Sequence, residues 1–173
     1  MLRIGYEPLL QAGVGTMKER MRAQTGGGGA LLRLRVPAEA RYGRRTRERV
    51  ARFIADHRVS DDDAEAFLTA VSEALANAIE HSGTLGPIEL SCRLAGRRLV
   101  ATIVDDGAGF TSKAPAAPKL PDPLAERGRG LAIMRRLTDH FEIRSLPGKG
   151  TSVILERTIR RSAKIKDDDD IAS

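Results

Sequence analysis

The chain has 173 residues, 41% hydrophobic and 30% charged, a balance of soluble globular domains rather than of disordered polymers, and no apolar run approaches the roughly 20 residues of a membrane helix. Cys92 is the single cysteine, which excludes an intrachain disulfide and a cysteine-built zinc cluster. The formal charge of +6 suits an anionic partner, but two tyrosines, four phenylalanines and no tryptophan make a poor stacking platform, so nucleic acid is disfavoured against a solvated basic helix face or an acidic protein partner. The N-terminus lacks the apolar block of a secretory signal, and a cytoplasmic location is expected.

Residues 1–29 close on Gly26-Gly27-Gly28-Gly29 and read as a flexible tail and linker, which sets the folded domain at residues 30–161. Leu31 to Val36 alternates apolar residues with arginine and reads as an edge strand ended by Pro37. An arginine-rich helix from about Glu39 to His57 follows, with Val50, Phe53 and Ile54 inward. Ser60 caps a second helix that runs to His81, with Asp61, Asp62 and Asp63 complementing the dipole of its first turn. Two strands, Ile88 to Leu94 and Arg98 to Asp105, flank the tight turn Ala95-Gly96-Arg97, and Cys92 belongs to the inward alternation of the first. The proline-rich stretch from Ala108 to Arg127 reads as a functional lid or an unstructured loop.

A third helix opens at Gly128-Arg129-Gly130-Leu131 and ends near Asp139. A hairpin, Phe141 to Ser145 and Thr151 to Arg157, turns at Leu146-Pro147-Gly148-Lys149-Gly150. Residues 162–173, with four consecutive aspartates, read as a solvated acidic tail. The element order implies an α+β fold, a two-layer α/β sandwich with helices on one face of a mixed sheet.

Four segments carry candidate chemistry. On the second helix Phe67, Val71, Leu75 and Ala78 share an apolar arc, while Ala66, Ala70, Glu73, Asn77 and His81 share another side whose small residues admit a ligand; a plain solvated face is the alternative. Asp105 ends an apolar strand with the parity of Ala101 and Ile103, so its carboxylate points at the covered layer and needs a donor, for which an adenine amine serves. Gly107 and Gly109 beyond it permit a sharp turn and a close approach to a ligand, as they also would in a surface turn. Gly128-Arg129-Gly130-Leu131 is a glycine pair at a helix start, where backbone N–H groups bind phosphate, or an ordinary helix entry. Gly148-Lys149-Gly150-Thr151 on its own reads as a hairpin turn.

In this order the four segments resemble the nucleotide site of the GHKL superfamily, which includes gyrase, heat-shock chaperones and histidine kinases. Ser72-Glu73-Ala74-Leu75-Ala76-Asn77-Ala78-Ile79-Glu80-His81 is most similar to the anti-sigma-factor serine/threonine kinases of that superfamily. The resemblance implies the Bergerat ATP-binding fold, with ATP and Mg²⁺ as cofactors. It implies that Asn77 holds Mg²⁺, that Glu73 is the general base and that Asp105 reads the adenine amine with Gly107 and Gly109 beside the base. It further implies that Gly128, Arg129 and Gly130 wrap the phosphates with Leu131 opening their helix, and that Thr151 supports the adenine through water; His81 has no assigned role. The implied activity is phosphorylation of a small anti-anti-sigma protein on serine and sequestration of a sigma factor, with a homodimer left open. A histidine kinase is disfavoured, because the stretch before Leu31 is short for a helix pair carrying a phosphoacceptor histidine. A nucleotide-sensing module of the same fold without phosphotransfer is the alternative, against which Glu73 argues.

Overall fold

The computed structural model describes residues 29–81, 83, 86–109 and 129–162. The expected N-terminal tail up to residue 28, residues 110–127 of the expected lid, Gly128 and the expected acidic tail from residue 163 lie outside the described residues.

Five strands form one sheet: β1 (Ala30–Val36), β2 (Ile88–Ala95), β3 (Arg98–Asp105), β4 (His140–Ser145) and β5 (Thr151–Thr158), in the order β1-β2-β3-β5-β4. The expected two layers are present, but all four pairings are antiparallel rather than mixed. The reason lies in the last hairpin. A strand-helix-strand crossover makes β3 and β4 run the same way, and β5 inserts between them and pairs antiparallel with both.

Alternate residues of each strand face the helices. Leu34, Leu90, Cys92, Leu99, Ala101 and Leu155 are buried there, and Cys92 is fully enclosed, with burial pushing its thiol pKa up to about 12. The opposite face is polar, with Arg35 4.0 Å from Glu89 and Arg98 bonded twice to Glu156 at 2.8 and 2.7 Å. An antiparallel sheet tolerates one such wetted face, which is why its strands keep a clean alternation.

Helix α1 (Gly43–Asp56) buries Thr46, Val50 and Ile54, while α2 (Asp61–His81) buries Phe67, Val71, Ala74 and Leu75. The first helix is shorter than expected. Ala40–Tyr42 form a separate 3-10 turn, and the Thr46 hydroxyl donates to the Tyr42 carbonyl at 2.9 Å where the two meet. Helix α3 (Arg129–Leu137) packs against α2. Among the described residues no helix is long and apolar enough to cross a membrane.

The start of α2 is tied down differently from the expected cap. The Ser60 carbonyl takes the Ala64 N–H at 2.8 Å, but the Ser60 hydroxyl donates to the Asp63 carboxylate at 2.8 Å instead of receiving a backbone bond. Asp63 is only 2% exposed, and it accepts further bonds from Arg157 Nη2 at 2.7 Å and from the backbone N–H and Nε of Arg160 at 2.8 and 3.1 Å. Arg157 also donates through Nη1 to the carbonyl of Leu137 at 2.8 Å, so one arginine joins the start of α2, the end of α3 and strand β5. This clasp fixes the direction in which α3 presents its N-terminus.

Candidate functional site

Glu73, Asn77 and His81 follow one another at one-turn intervals along α2. The first turn of α3 lies directly against the first two. A Cβ built on Gly130 would stand 3.0 Å from Glu73 Oε2 and 3.4 Å from Asn77 Nδ2, so glycine lets this helix start come close to the two polar side chains. Between α2, the start of α3 and the sheet is a cavity of about 210 Å³. Asn77, His81, Asp105, Gly109, Gly130, Leu131 and Thr151 line it together with Ala74 and Ala78. Six of the ten residues given a role from the sequence, and His81 with them, therefore meet around one space, while Glu73 stands beside Gly130 and Gly107 supports Asp105 from behind. Arg129 begins α3, and Gly128 is outside the described residues.

The floor of the cavity comes from the register of three strands. Ile103 pairs with Val153 and Val153 with Ile143, so one residue from each of β3, β5 and β4 forms an apolar row under the pocket. Sequence reasoning did not single out this row, although period-2 alternation in the last hairpin carries the signal. Asp105 ends the same face of β3 and is 4% exposed. Burial pushes its carboxyl pKa up and the neighbouring Asp106 charge adds to this, while hydrogen bonds from the Gly107 and Thr151 backbone N–H groups oppose it; the net shift is upward. The Gly107 bond to Asp105 Oδ1 measures 2.9 Å.

The two glycine turns form one unit. Gly109 has φ of 61° and Gly150 of 78°, both in the left-handed region. A Cβ on Gly109 would overlap the Leu146 carbonyl, and one on Gly150 would overlap the Asp105 carbonyl. The Gly148 N–H donates to Ala108 O at 2.6 Å. The turn at 146–150 is thus more than a hairpin end: it buttresses the loop after Asp105 and brings Thr151 to that carboxylate. The Thr151 hydroxyl is 3.0 Å from the Ser145 hydroxyl, a partner with no mark in the sequence.

This donor set suits a purine nucleotide with a divalent cation. Asp105 offers an acceptor over an apolar floor, as an exocyclic amine requires; the Asn77 amide oxygen is a hard ligand; and the backbone N–H groups at the start of α3 favour phosphate. A groove of about 250 Å³ between α1 and α2 brings together none of the glycine turns or Asp105.

The sequence matches the Histidine kinase-like ATPase domain over residues 36–157. It is 31% identical over 115 residues to the anti-sigma F factor of Thermoanaerobacter sp. (strain X514), covering 64% of this chain and 80% of that protein. It is 34% identical over 119 residues to the anti-sigma F factor of Bacillus subtilis (strain 168), covering 65% and 82%. A solved structure of the RsbU and RsbW domains of a Mycobacterium tuberculosis protein superposes with a TM-score of 0.60 at 22% identity, covering 78% of this chain and 34% of that one, and shows the shared fold. The chain belongs to the histidine kinase-like ATPase family, in the group that includes the anti-sigma F factors.

Proposed function

We propose that this protein is an ATP-dependent serine/threonine kinase and anti-sigma factor, which phosphorylates a small anti-anti-sigma protein on serine and sequesters a sigma factor. The observation that carries the reading is the meeting of Asp105, Asn77 and the Gly130 end of α3 around one cavity, with Glu73 beside Gly130. The kinship with anti-sigma F factors supports the choice of partners.

In this reading residues 30–161 are the ATPase domain. The apolar row Ile103, Val153 and Ile143 takes the face of the adenine, and Asp105 accepts from its amine. Thr151, held by Ser145, supports that carboxylate through water. Gly107 and Gly109 let the backbone pass close to the base. Gly128, Arg129 and Gly130 wrap the phosphates, and Leu131 covers the mouth of the pocket. Asn77 would hold Mg²⁺, which when bound supplies charge neutralisation to the phosphate oxygens. Glu73, one turn from Asn77, takes the proton of the attacking serine hydroxyl.

Glu73→Gln tests this assignment, because it keeps size and helix propensity and removes the proton acceptor. With ATP, Mg²⁺ and the anti-anti-sigma partner, serine phosphorylation should fall on the order of 100- to 10,000-fold while nucleotide affinity is kept. Transfer at the wild-type rate removes Glu73 from the role of base. If the wild-type protein binds ATP tightly yet transfers nothing to any such partner, the nucleotide-sensing module is the better account.

A further inference from the structure

Helix α1 displays a stripe of arginine that nothing in the nucleotide site uses. Arg45, Arg49 and Arg52 are spaced i, i+4, i+7, so they share one exposed face, and none bonds to a described residue. The nearest acid on the helix, Glu48, is taken by Arg44 at 3.0 Å. Asp56 follows one turn beyond Arg52 on the same face.

The described chain comes back to the foot of this helix. The Ser162 N–H donates to Arg58 O at 2.9 Å, its hydroxyl donates to Val59 O at 3.1 Å, and Arg161 bridges to Val59 and donates to the His57 carbonyl. Eleven residues follow Ser162: two lysines, Lys164 and Lys166, come first, and the aspartates Asp167, Asp168, Asp169 and Asp170 come next. At about 3.4 Å per extended residue, those aspartates lie within roughly 17 to 27 Å of Ser162. Arg52 and Arg45 stand about 9 and 20 Å back along α1 from Arg58 at 1.5 Å per residue. The order of charges also matches. Moving away from the anchor, the tail is positive then negative, while α1 presents Asp56 first and then the three arginines.

We propose that the four aspartates at residues 167–170 dock on the Arg45, Arg49 and Arg52 face of α1 and mask it. An acidic protein surface seeking that face must displace the tail. The contact is electrostatic and tethered, so it is strong only at low salt and depends on the short connection to Ser162. It does not rest on the nucleotide reading.

The full-length protein allows a direct test, since Cys92 is enclosed and a Ser173→Cys variant can be labelled at the introduced thiol with a nitroxide. Amide signals of residues 45–52 should broaden at low ionic strength. They should recover in about 1 M NaCl, where the Debye length is about 3 Å. They should also recover when all four aspartates are replaced by asparagine. Absence of broadening, or broadening unchanged by those replacements, overturns the proposal. Fluorescent hexaglutamate is the second probe, and the four-asparagine variant should bind it roughly two- to tenfold more tightly than wild type at low salt. Equal affinity would show an arginine face left open to an acidic partner, and would likewise overturn it.

Discussion

Asp63 and Asp105 are both carboxylates almost removed from solvent in the same domain, yet their surroundings drive them in opposite directions. Burial alone would raise the pKa of each. At Asp63 the side-chain and backbone bonds from Arg160, with those of Arg157 and Ser60, outweigh burial and hold the carboxyl well below the usual range. At Asp105 two backbone N–H groups do not outweigh it, and the carboxyl is held above its ordinary 3.8 beside a cavity. Burial therefore does not mark a ligand-reading carboxylate; the partner set does. Asp63 is a structural knot, while Asp105 lines the cavity that the proposed function assigns to the nucleotide.

The largest effect that separates the two is on stability. Asp63→Ala leaves the Arg157 guanidinium, half-buried at the joint of α2, α3 and β5, without its anion, and should cost about 3 kcal/mol or more in urea unfolding. A loss below about 1 kcal/mol would mean that the clasp is decoration and that the contrast with Asp105 is empty.

Asn77→Ala sharpens the pocket side. ATP affinity measured with Mg²⁺ should fall on the order of tenfold, the worth of one contact to a charged partner. Affinity measured in excess chelator should hardly change. Equal losses in both conditions would place Asn77 on the nucleotide rather than the cation.

Gly130→Ala is a gentler probe of the same wall. Its Cβ would press on Glu73 Oε2, the end of a flexible side chain, so stability should shift by less than about 1 kcal/mol and nucleotide affinity by little. Phosphotransfer should fall about tenfold, because Glu73 must move from its position. An unchanged transfer rate would show that the close approach of α3 to Glu73 is not needed for chemistry.

The smallest effects lie in pH. Asp63 has a lowered folded-state pKa, so its contribution is fully present above the ordinary carboxylate value of 3.8 and is lost as pH falls towards the folded one. Asp105 has the opposite sign. Its contribution is present below the ordinary value and is lost as pH rises through the raised folded pKa, so Asp105→Asn should equal or exceed wild type in stability at pH 7 and lose that margin in acid. Urea midpoints of wild type and both asparagine variants between about pH 3 and 7 check both slopes; parallel curves would contradict the assignment.

Much of this contrast was legible in the sequence on the pocket side and little of it at the clasp. Strand parity located Asp105 on the covered face because alternation holds wherever helices bury one side of a sheet. Helical spacing likewise put Glu73, Asn77 and His81 in line. Ala70 was grouped with that polar side but is fully buried, since the sheet and α3 together enclose a wider arc of α2 than one apolar stripe. The aspartates after Ser60 read as dipole complements; Asp63 instead meets Arg157 from within β5 and Arg160 from just beyond it, a long-range pairing without local signature. The stacking of the 146–150 turn on the loop after Asp105 is equally non-local, although the glycines that allow it were visible.

The central claim is that Asp105 serves a ligand while Asp63 serves the fold, and Asp105→Asn tests it most directly. Calorimetric titration with Mg-ATP and urea unfolding should be measured on the same variant. The expected result is an ATP affinity lowered by about 1.5 to 3 kcal/mol, roughly ten- to hundredfold, with stability at pH 7 unchanged or increased. Retained ATP affinity together with a loss of stability like that of Asp63→Ala would contradict it.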